Sequence, residues 1–316
     1  MSEPLVSIYI TSYNQNEFIE DAIVSAVEQD YDNLEVVVSD DASTDGSQVI
    51  IREMAKKYPD RLRVSLQEEN KGLTENHNRA LMECRGELIS NLDGDDILLP
   101  GKIRKQVEFM SAHNECNLVH HNTEVFDTYT GKVLYYWKDR FGAISGKVDN
   151  LVKYGNLLCS VSVMVRRQAI PKGGFDNRMY RGADWYLWIQ VAAKDGGKIG
   201  YIDEVLARYR RHNKNVTLDW TSKIENQFVT LALVETHYPD FISAVRRRRA
   251  DLFLMLAVRQ ASKGYYRIAL RSWFESNILT FPFLWRSFRL PLRELAFYVR
   301  SGRNLDDLVK SLISNK

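Results

Sequence analysis

The stretch Leu88-Ile89-Ser90-Asn91-Leu92-Asp93-Gly94-Asp95-Asp96 places three acidic residues directly after a short apolar run. Like charges this close repel one another, and taking them out of water at a strand end is costly unless a cation or hydrogen-bond donors compensate. Mg²⁺ or Mn²⁺ with a diphosphate would compensate, since both ions take oxygen ligands and are held by carboxylates plus substrate phosphates. A turn that caps a following helix is the simpler alternative, because Asp and Gly are ordinary turn and cap residues.

The acidic stretch ends the last of four segments with a strand-like pattern. These segments cover residues 6–10, 34–39, 62–66 and 87–91, and helical patterns follow the first three at 17–28, 47–58 and around 73–81. Strands that alternate with helices predict βαβ units and a mostly parallel sheet with right-handed crossovers. In such sheets ligands bind beyond the carboxyl ends of the strands, near the point where the strand order reverses.

Polar loops follow all four strand segments on the side where ligands bind. The loops contain Thr11–Asn14, Asp40-Asp41, Asn70–Gly72 and Asp93–Asp95. Turn and cap chemistry explains any one of them alone. Four such loops on one rim predict a single binding site, because the carboxyl ends of parallel strands meet at one edge of the sheet.

The composition is that of a globular protein with room for one large or two smaller domains, since 45% of the 316 residues are hydrophobic and 27% are charged. Cys84, Cys116 and Cys159 lack paired spacing, which argues against a disulfide framework or a zinc site and fits a reducing cytoplasm. We expect no signal peptide and no membrane span, because the sequence has no basic leader and no run of about 18 apolar residues.

Four motifs in this order and spacing resemble family 2 of the glycosyltransferases, over roughly residues 5–215. The motifs are Val6–Asn14, Val38–Ser47, Asn70–Gly72 and Asn91–Asp96. The resemblance implies the GT-A fold, an α/β architecture with a Rossmann-like, mostly parallel sheet. It also implies transfer of a sugar from a nucleotide diphosphate sugar to an acceptor. One departure is Ala42, which stands where the family usually has Gly or another small residue.

The resemblance implies a nucleotide pocket built from the first three loops. Thr11 and Tyr13 would line the base pocket, where an aromatic face can stack on a pyrimidine. Asp40 would accept a hydrogen bond from the base, which an ionised carboxylate can do. The other residues implied for the nucleotide sugar are Asn14, Asp41, Asn70, Lys71, Gly72 and Asn78.

The resemblance also separates the roles of the acidic stretch, which matches the DXD motif. Asp95 would bind Mn²⁺ or Mg²⁺ bridging the diphosphate, and Asp93 would lie beside it toward the ribose. Gly94 between them would allow close approach of the backbone. We expect Asp96 to be a helix-start residue rather than a ligand.

A second stretch, Gly182–Trp188, resembles the part of the family that carries the catalytic base. Ala183 stands where the family more often has an acid, so Asp184 is the remaining acid of the motif. An inverting transfer needs one base to deprotonate the acceptor hydroxyl, and Asp184 is our candidate. The alternative is an acid that only stabilises the first turn of a helix. Trp185 and Trp188 share a helical face, so we expect at least one in the core.

The segment Tyr209–Asn215 matches a basic region that closes over the diphosphate in the family. His212 could bind the metal or donate to a phosphate, and Arg210 or Arg211 could offset leaving-group charge. A solvated His in a basic loop is the alternative. Between the two informative stretches, we expect a helix at 101–112, a strand at 118–121, a hairpin at 125–136 and a strand at 158–165.

We expect a catalytic domain over residues 1–220, with a nucleotide-sugar half at 1–100 and an acceptor half at 101–220, followed by a basic helical region at 221–316. Helical patterns cover 222–236, 240–262, 264–276, 291–300 and 304–314. Residues 241–316 contain 15 Lys and Arg against 5 Asp and Glu. Residues 241–300 interleave arginines with bulky aromatics, which favours an anionic membrane surface over simple packing. No nucleic-acid motif is present, so we expect no nucleic-acid partner.

The leading hypothesis is therefore an inverting, metal-dependent glycosyltransferase that uses a nucleotide sugar, expected to be a UDP-sugar. Its acceptor would be a glycan or a lipid-linked acceptor in cell-surface polysaccharide or glycolipid synthesis. It would be cytoplasmic and peripheral at the inner face of the membrane. A nucleotidyltransferase is the enzymatic alternative, although the Gly-rich, Lys-bearing phosphate loop is missing. A membrane-docked scaffold that binds nucleotide sugars without catalysis is the non-enzymatic alternative.

Overall fold

The computed structural model describes residues 3–179, 182–213, 215 and 220–278. These residues divide into two compact units. The first contains the sheet and runs to Leu151, then resumes at Asn156. The second contains Val152–Gly155 and the helices from residue 220 onward. The units are described separately below.

The elements alternate between strand and helix in the first hundred residues, as the pattern predicts. The strands are β1 (Val6–Ser12), β2 (Leu34–Asp40), β3 (Leu62–Leu66), β4 (Leu88–Asp93), β5 (Ile97–Leu98), β6 (Cys116–Asp127), β7 (Val133–Tyr136), β8 (Met164–Arg166) and β9 (Lys198–Arg211). The helices are α1 (Ile19–Val27), α2 (Ser47–Lys57), α3 (Leu73–Glu83), α4 (Lys102–Ala112), α5 (Trp137–Phe141), α6 (Asp149–Tyr154), α7 (Ala183–Ala193), α8 (Trp220–His237), α9 (Ile242–Ser262) and α10 (Tyr266–Ile278).

The first four strands form a parallel sheet in the order β3-β2-β1-β4. All seven residues of β1 are buried, as expected for a strand covered by helices on both faces. The chain moves outward from β1 to β2 and β3, and then returns to the other side of β1 with β4. The strand order therefore reverses between β1 and β4, where the register pairs Thr11 with Asp93. This is the position at which such sheets bind ligands.

The sheet continues from β4 through β8, β6 and β9 to β5, and β7 pairs with β6 as the expected hairpin. The long strands β6 and β9 are parallel, whereas β8 runs antiparallel to both β4 and β6. The strand predicted at 158–165 is wrong over most of its length. The backbone N–H and the hydroxyl of Ser162 both donate to the carbonyl of Cys159, and this closes a short 3-10 turn. The strand β8 forms only from Met164.

A buried lysine links α4 to the strand that carries the acids. Lys102 Nζ donates to Ser90 Oγ at 2.6 Å and to Gln106 Oε1 at 2.8 Å, and the Gln106 amide donates to the carbonyl of Ser162. The Lys102 side chain is completely buried. Burial penalises the charged form and lowers the pKa of Lys102 to about 7.

The second unit is helical, and α8, α9 and α10 confirm the first three helices expected after residue 220. Three of the four consecutive arginines near the start of α9 are engaged within this unit. Arg247 pairs with Asp251, Arg249 pairs with Glu235, and Arg248 donates to Gln227. Their guanidinium groups are therefore held by protein rather than presented together to a surface. The helices expected at 291–300 and 304–314, and the aromatic residues at 281–288, lie outside the described residues.

We predict that replacing Lys102 by Met changes how stability depends on pH. The folded-state pKa of about 7 is depressed below the ordinary lysine value, so the unfolded state binds more protons between these values. The stability of the wild type relative to Lys102→Met should therefore rise with pH above 7, by up to about 1.4 kcal/mol per pH unit. Urea unfolding at pH 7, 8 and 9 measures this slope.

The control is Lys105→Met, which removes a lysine of α4 whose side chain is 41% exposed. Its effect on the free energy of unfolding should not change over the same pH range. Equal slopes for the two variants would contradict the buried position of Lys102.

Candidate functional site

The acidic stretch follows β4 at the point where the strand order reverses. Burial, followed by the charges of Asp95 and Asp184, raises the pKa of Asp93 to about 7. Burial, followed by the charges of Asp95 and Asp93, also raises the pKa of Asp96 well above its usual value. These shifts are the electrostatic cost of gathering carboxylates in one place, and a cation bound there would offset it.

Asp95 and His212, far apart in the sequence, are in contact. His212 Nε2 lies 2.9 Å from Asp95 Oδ2, and the amide of Asn215 lies 3.3 Å from the same oxygen. Asn215 also accepts the backbone N–H of His212, which fixes the turn after β9. The ring of Phe18 stacks on His212 with centroids 4.8 Å apart. This packing keeps the imidazole beside the carboxylate instead of in solvent.

Arg210 holds the end of β9 against the acidic stretch. Its backbone N–H donates to Asp96 Oδ1 at 2.9 Å, and its guanidinium donates to the carbonyl of Asp95 and to Asp21 Oδ2. The expected helix-start role of Asp96 is therefore wrong, because β5 and not a helix follows it and its carboxylate anchors β9. The Arg210 guanidinium therefore bonds protein groups beside the acidic stretch, and the predicted role of Arg210 or Arg211 toward a leaving group stays a prediction.

Gly94 is enclosed by protein. Its N–H donates to the carbonyl of Thr11 at 2.9 Å. A Cβ at this position would lie 2.9 Å from that carbonyl oxygen and would overlap with the side-chain oxygen of Gln15. The groups that approach the backbone of Gly94 closely are thus Thr11 in β1 and Gln15 in the loop after β1.

The loop after β2 is held by its own two acids. Asp40 is fully buried and accepts hydrogen bonds from the N–H and hydroxyl of Ser43 and from the amide of Gln48. Asp41 accepts the backbone N–H groups of Lys71 and Gly72, each at 2.8 Å. These contacts bring the loops after β2 and β3 together at the rim. This agrees with the expectation that the carboxyl ends of parallel strands meet at one edge of the sheet.

The same rim contains the residues after β1. The Thr11 hydroxyl lies 3.5 Å from Asp93 Oδ1, whereas the Tyr13 ring is 49% exposed. Asn14 has a positive φ of 51° and accepts the N–H of Thr44 through its side chain. Ala42 has a positive φ of 62°, a backbone conformation that Gly adopts more readily than Ala.

The segment that follows residue 173 is fastened to α3. The side chain of Asn78 donates to the carbonyl of Phe175 at 2.9 Å and to Asn177 Oδ1, and it accepts the N–H of Phe175. The amide expected to form part of the nucleotide wall is therefore turned toward this segment. The side chains of Asn70 and Lys71 are bonded locally, Asn70 to the N–H of Gly72 and Lys71 to Glu69.

Asp184 lies in the first turn of α7 and receives a hydrogen bond from Asn156, with Asn156 Nδ2 2.8 Å from Asp184 Oδ2. The charge of Asp184 contributes to the raised pKa of Asp93, so the two carboxylates are close enough to interact electrostatically. Trp185 and Trp188 are both buried in the core, which confirms the expectation for this helix.

Three residues that the sequence did not single out are part of this arrangement. His77 is buried, and burial lowers its pKa to about 4; its Nε2 lies 4.0 Å from Asp93 Oδ1. Asn76 donates to the carbonyls of Ser12 and Ser39 and so ties the ends of β1 and β2 together. Asn156 contacts Asp184. No sequence pattern marks them, because each acts through a partner distant along the chain.

A cation here would have few protein ligands. Within the described ranges, no group of three or more His, Cys, Asp and Glu side chains could hold a metal ion by itself. Asp95 and His212 would supply two ligands to such a cation, and the phosphates of a nucleotide would have to complete its coordination. A separate cleft of about 510 Å³ lies at the amino ends of β1 and β4, lined in part by Pro4, Gly86 and Leu88, and contains none of the predicted site residues.

The family model of Glycosyl transferase family 2 matches residues 7–170. The chain therefore belongs to this family. Relatives from Mycobacterium tuberculosis are 34% identical over 66% of this chain, and the chain spans 59% of their own length. TuaG from Bacillus subtilis, described as a putative teichuronic acid biosynthesis glycosyltransferase, is 29% identical over 75% of this chain and 91% of its own length.

Solved structures share the fold at lower identity. Staphylococcus aureus TarS in complex with UDP-GlcNAc has a TM-score of 0.64 at 16% identity, covering 95% of this chain and 93% of that chain. The mannosyltransferase PcManGT from Pyrobaculum calidifontis, in complex with GDP-Man and Mn²⁺, has a TM-score of 0.63 at 19% identity, covering 100% of this chain and 86% of that chain. The fold is thus the GT-A fold with additional C-terminal helices, as the sequence predicts.

We predict that Gly94→Ala destabilises the protein. The new Cβ would press on the backbone carbonyl of Thr11, which cannot move without displacing β1. Overpacking of this kind costs about 1–3 kcal/mol. Denaturant unfolding measures the loss, and Gly173→Ala is the control because a Cβ there has open space. Equal stability of the two variants would contradict the enclosed position of Gly94.

Proposed function

We propose that this chain is an inverting, metal-dependent glycosyltransferase that acts in the synthesis of a cell-surface polysaccharide or glycolipid. The observation that carries the proposal is the contact of Asp95 with His212 at the strand-order reversal, with Asp184 acting electrostatically on Asp93. Membership of the family supports it. So does the description of TuaG as a teichuronic acid biosynthesis enzyme.

The metal would be held by Asp95 and His212, with Asp93 beside them. The donor set fits a divalent cation, because one carboxylate oxygen and one imidazole nitrogen already lie 2.9 Å apart and face each other. An imidazole ligand favours Mn²⁺ over Mg²⁺, which takes oxygen ligands almost exclusively. The presence of Mn²⁺ in the PcManGT structure supports this choice. When bound, the cation would neutralise charge on the departing nucleoside diphosphate.

His212 must present a neutral nitrogen to bind a metal. In the free protein, Asp95 Oδ2 can accept a proton carried by His212 Nε2. Metal binding would require that proton to move to Nδ1 or to solvent, which leaves Nε2 as a ligand. Phe18, stacked on the ring, would keep the imidazole in place through this change.

Asp184 would act as the general base. One carboxylate oxygen takes the proton of the acceptor hydroxyl as the hydroxyl oxygen attacks the anomeric carbon. The bond between that carbon and the diphosphate oxygen breaks on the opposite face, and the electron pair leaves with the nucleoside diphosphate. The configuration at the anomeric carbon is therefore inverted. The helix N-terminus around Asp184 stabilises its ionised form, which is the form a base requires.

The donor would be a nucleotide diphosphate sugar, and we favour a UDP-sugar. Tyr13 at the rim has the exposed aromatic face that a base can stack on. TarS binds UDP-GlcNAc, which supports a uridine donor, while PcManGT binds GDP-Man. The acceptor would be a hydroxyl of a glycan or of a lipid-linked acceptor.

The surface we propose for membrane contact is the exposed face of α10. Leu270 and Phe274 are 64% and 56% exposed, and Arg267 and Arg271 share the same helical face. Apolar side chains flanked by arginines fit the boundary of an anionic bilayer, where the rings enter the headgroups and the guanidinium groups meet phosphate. Within the part of the chain that is described, no helix is both long and apolar enough to cross a membrane.

We predict that Asp184→Asn lowers kcat for transfer by about 10²- to 10⁴-fold and leaves donor binding intact, because the amide cannot accept the proton. Asp95→Asn should instead weaken the Mn²⁺-dependent binding of the donor. UDP-GlcNAc, UDP-glucose and GDP-mannose are tested with Mn²⁺ and a set of octyl glycosides. Nucleotide release reports turnover, and proton NMR of the product reports the anomeric configuration.

Asp32→Asn is the control, since its carboxylate is fully exposed. Undiminished transfer by a folded Asp184→Asn or Asp95→Asn variant would refute the assigned roles. Release of inorganic diphosphate from a nucleoside triphosphate would support a nucleotidyltransferase instead. Donor binding without turnover on any acceptor would support the scaffold.

We predict that the protein sediments with vesicles of phosphatidylcholine and phosphatidylglycerol, and less with phosphatidylcholine alone. The double variant Leu270→Ser, Phe274→Ser should weaken binding about tenfold or more, because two apolar side chains no longer enter the bilayer. Added salt should weaken binding by screening the arginines. The control is Met82→Ser, which removes an exposed apolar side chain from α3. Binding that ignores anionic lipid and salt would refute the proposal.

A further inference from the structure

Asn156 contacts the residue that we assign as the base. Its amide nitrogen lies 2.8 Å from Asp184 Oδ2. We propose that Asn156 is a positioning residue, which holds the Asp184 carboxylate in its working orientation and keeps it ionised. This inference rests on the proposed function of Asp184 as the base.

The chemistry of the two groups fixes which atom of Asn156 faces Asp184. An ionised carboxylate only accepts hydrogen bonds, so the NH₂ group and not the carbonyl must face it. A hydrogen bond donated to the charged form favours that form, and so keeps the base deprotonated. It also restricts rotation of the carboxylate, so that the direction in which Asp184 can take a proton is set before the acceptor arrives.

The chain that follows Asn156 is held at two points. Trp137 Nε1 donates to the carbonyl of Leu157 at 2.7 Å. Three residues further on, Ser160 Oγ accepts the side-chain amide of Asn91, which lies in β4 two residues before Asp93. The segment from Asn156 to Ser160 therefore bridges the helix that carries the base and the strand that carries the acids. A donor on a segment held at two points can define the position of a carboxylate precisely enough for catalysis.

The charge of Asp184 reaches two described residues near the end of β4 and in β1. The described residues that sense its charge are Asp93 at the end of β4 and Tyr9 in β1, since Asp184 contributes to the raised pKa of both. Both are acids, so neither supplies a positive charge to Asp184. His77 packs beside Tyr9 and lies 4.0 Å from Asp93, but burial lowers its pKa to about 4, so it brings no positive charge at neutral pH. The amide of Asn156 supplies a donor without adding a charge.

Two substitutions of similar size distinguish positioning from packing. Asn156→Leu keeps the volume but removes the donor, so the base is less readily ionised and less well oriented. We expect kcat at pH 7 to fall about 10- to 100-fold, the value of a hydrogen bond to a charged group, with little change in KM for the donor. Because more of the base is deprotonated as the pH rises, the activity of Asn156→Leu relative to the wild type should increase with pH.

Asn156→Asp should show the opposite trend. The introduced carboxyl group, while it is protonated, can still donate to Asp184, so activity is retained at low pH. As the pH rises, the new carboxyl ionises beside Asp184, the donor is lost and the two charges repel. The activity of Asn156→Asp relative to the wild type should therefore decrease with pH. A role in packing alone would lower both variants by factors that do not depend on pH.

The experiment measures kcat and KM for the wild type, both Asn156 variants and Asp184→Asn. The pH is varied over about three units around neutrality, roughly from 5.5 to 8.5. Asn117→Ala is the matched control, because Asn117 makes an amide-to-carbonyl hydrogen bond of similar length, 2.7 Å, to Lys194. A second readout needs no substrate: carbon NMR of protein labelled at the aspartate carboxyls follows the titration of Asp184, assigned by its absence in Asp184→Asn. Its pKa should rise in Asn156→Leu and stay unchanged in Asn117→Ala.

The outcomes separate the inference from the function on which it rests. Opposite pH trends of the two Asn156 variants, with a raised pKa of Asp184 in Asn156→Leu, support the positioning role. The positioning role is overturned if both variants keep the wild-type kcat at every pH, or if the pKa of Asp184 is unchanged in Asn156→Leu. In either case an inactive Asp184→Asn variant would leave the assignment of the base intact. Full transfer by Asp184→Asn overturns the assignment of the base itself.

Discussion

The burial of Asp93 and Asp96 beside Asp95 is the constraint on which the first unit depends. All three follow one strand, and the pKa values of Asp93 and Asp96 are raised by burial and by the neighbouring carboxylates. Residues at the end of β9 and just after it contact the acidic cluster through hydrogen-bond donors. Arg210 donates its backbone N–H to Asp96 and its guanidinium to the carbonyl of Asp95, and His212 contacts the Asp95 carboxylate. The last strand of the sheet thus stabilises a cluster formed more than a hundred residues earlier in the chain.

The region between the acids and α7 is built from packed rings. His77 lies beside Asp93 and packs on Phe175, and Phe175 packs on Trp188 of α7 with centroids 6.2 Å apart. Asn78 fastens the Phe175 segment to α3 through three hydrogen bonds. Close-packed interiors transmit displacement rather than absorb it, so this wall sets the separation between Asp93 and Asp184.

Much of this arrangement could be read from local patterns. The alternation of strands and helices predicts the parallel sheet, and the four polar loops meet at one rim because parallel strands end on one side. Other features depend on partners distant in the sequence. Asp40 accepts hydrogen bonds from Ser43 in its own loop and from Gln48, and Asp41 accepts the backbone N–H groups of the loop after β3. These contacts could not be predicted from the local sequence, and the role of both acids toward a nucleotide stays a prediction. The turn at Cys159–Ser162 replaced an expected strand, since serine and the carbonyl three residues before it form their own hydrogen bonds.

The sequence by itself determined the α/β class, the family and the acids of the site, because hydrophobic periodicity and short motifs are local properties of the chain. The contacts of those acids were decided only by the tertiary structure. His212 beside Asp95, Arg210 on Asp96 and Asn156 on Asp184 join residues separated by 117, 114 and 28 positions. Such pairs form when the completed sheet places strand ends and helix starts together. The contacts that each carboxylate makes thus depend on the donor that folding brings to it, and the local sequence does not encode that donor.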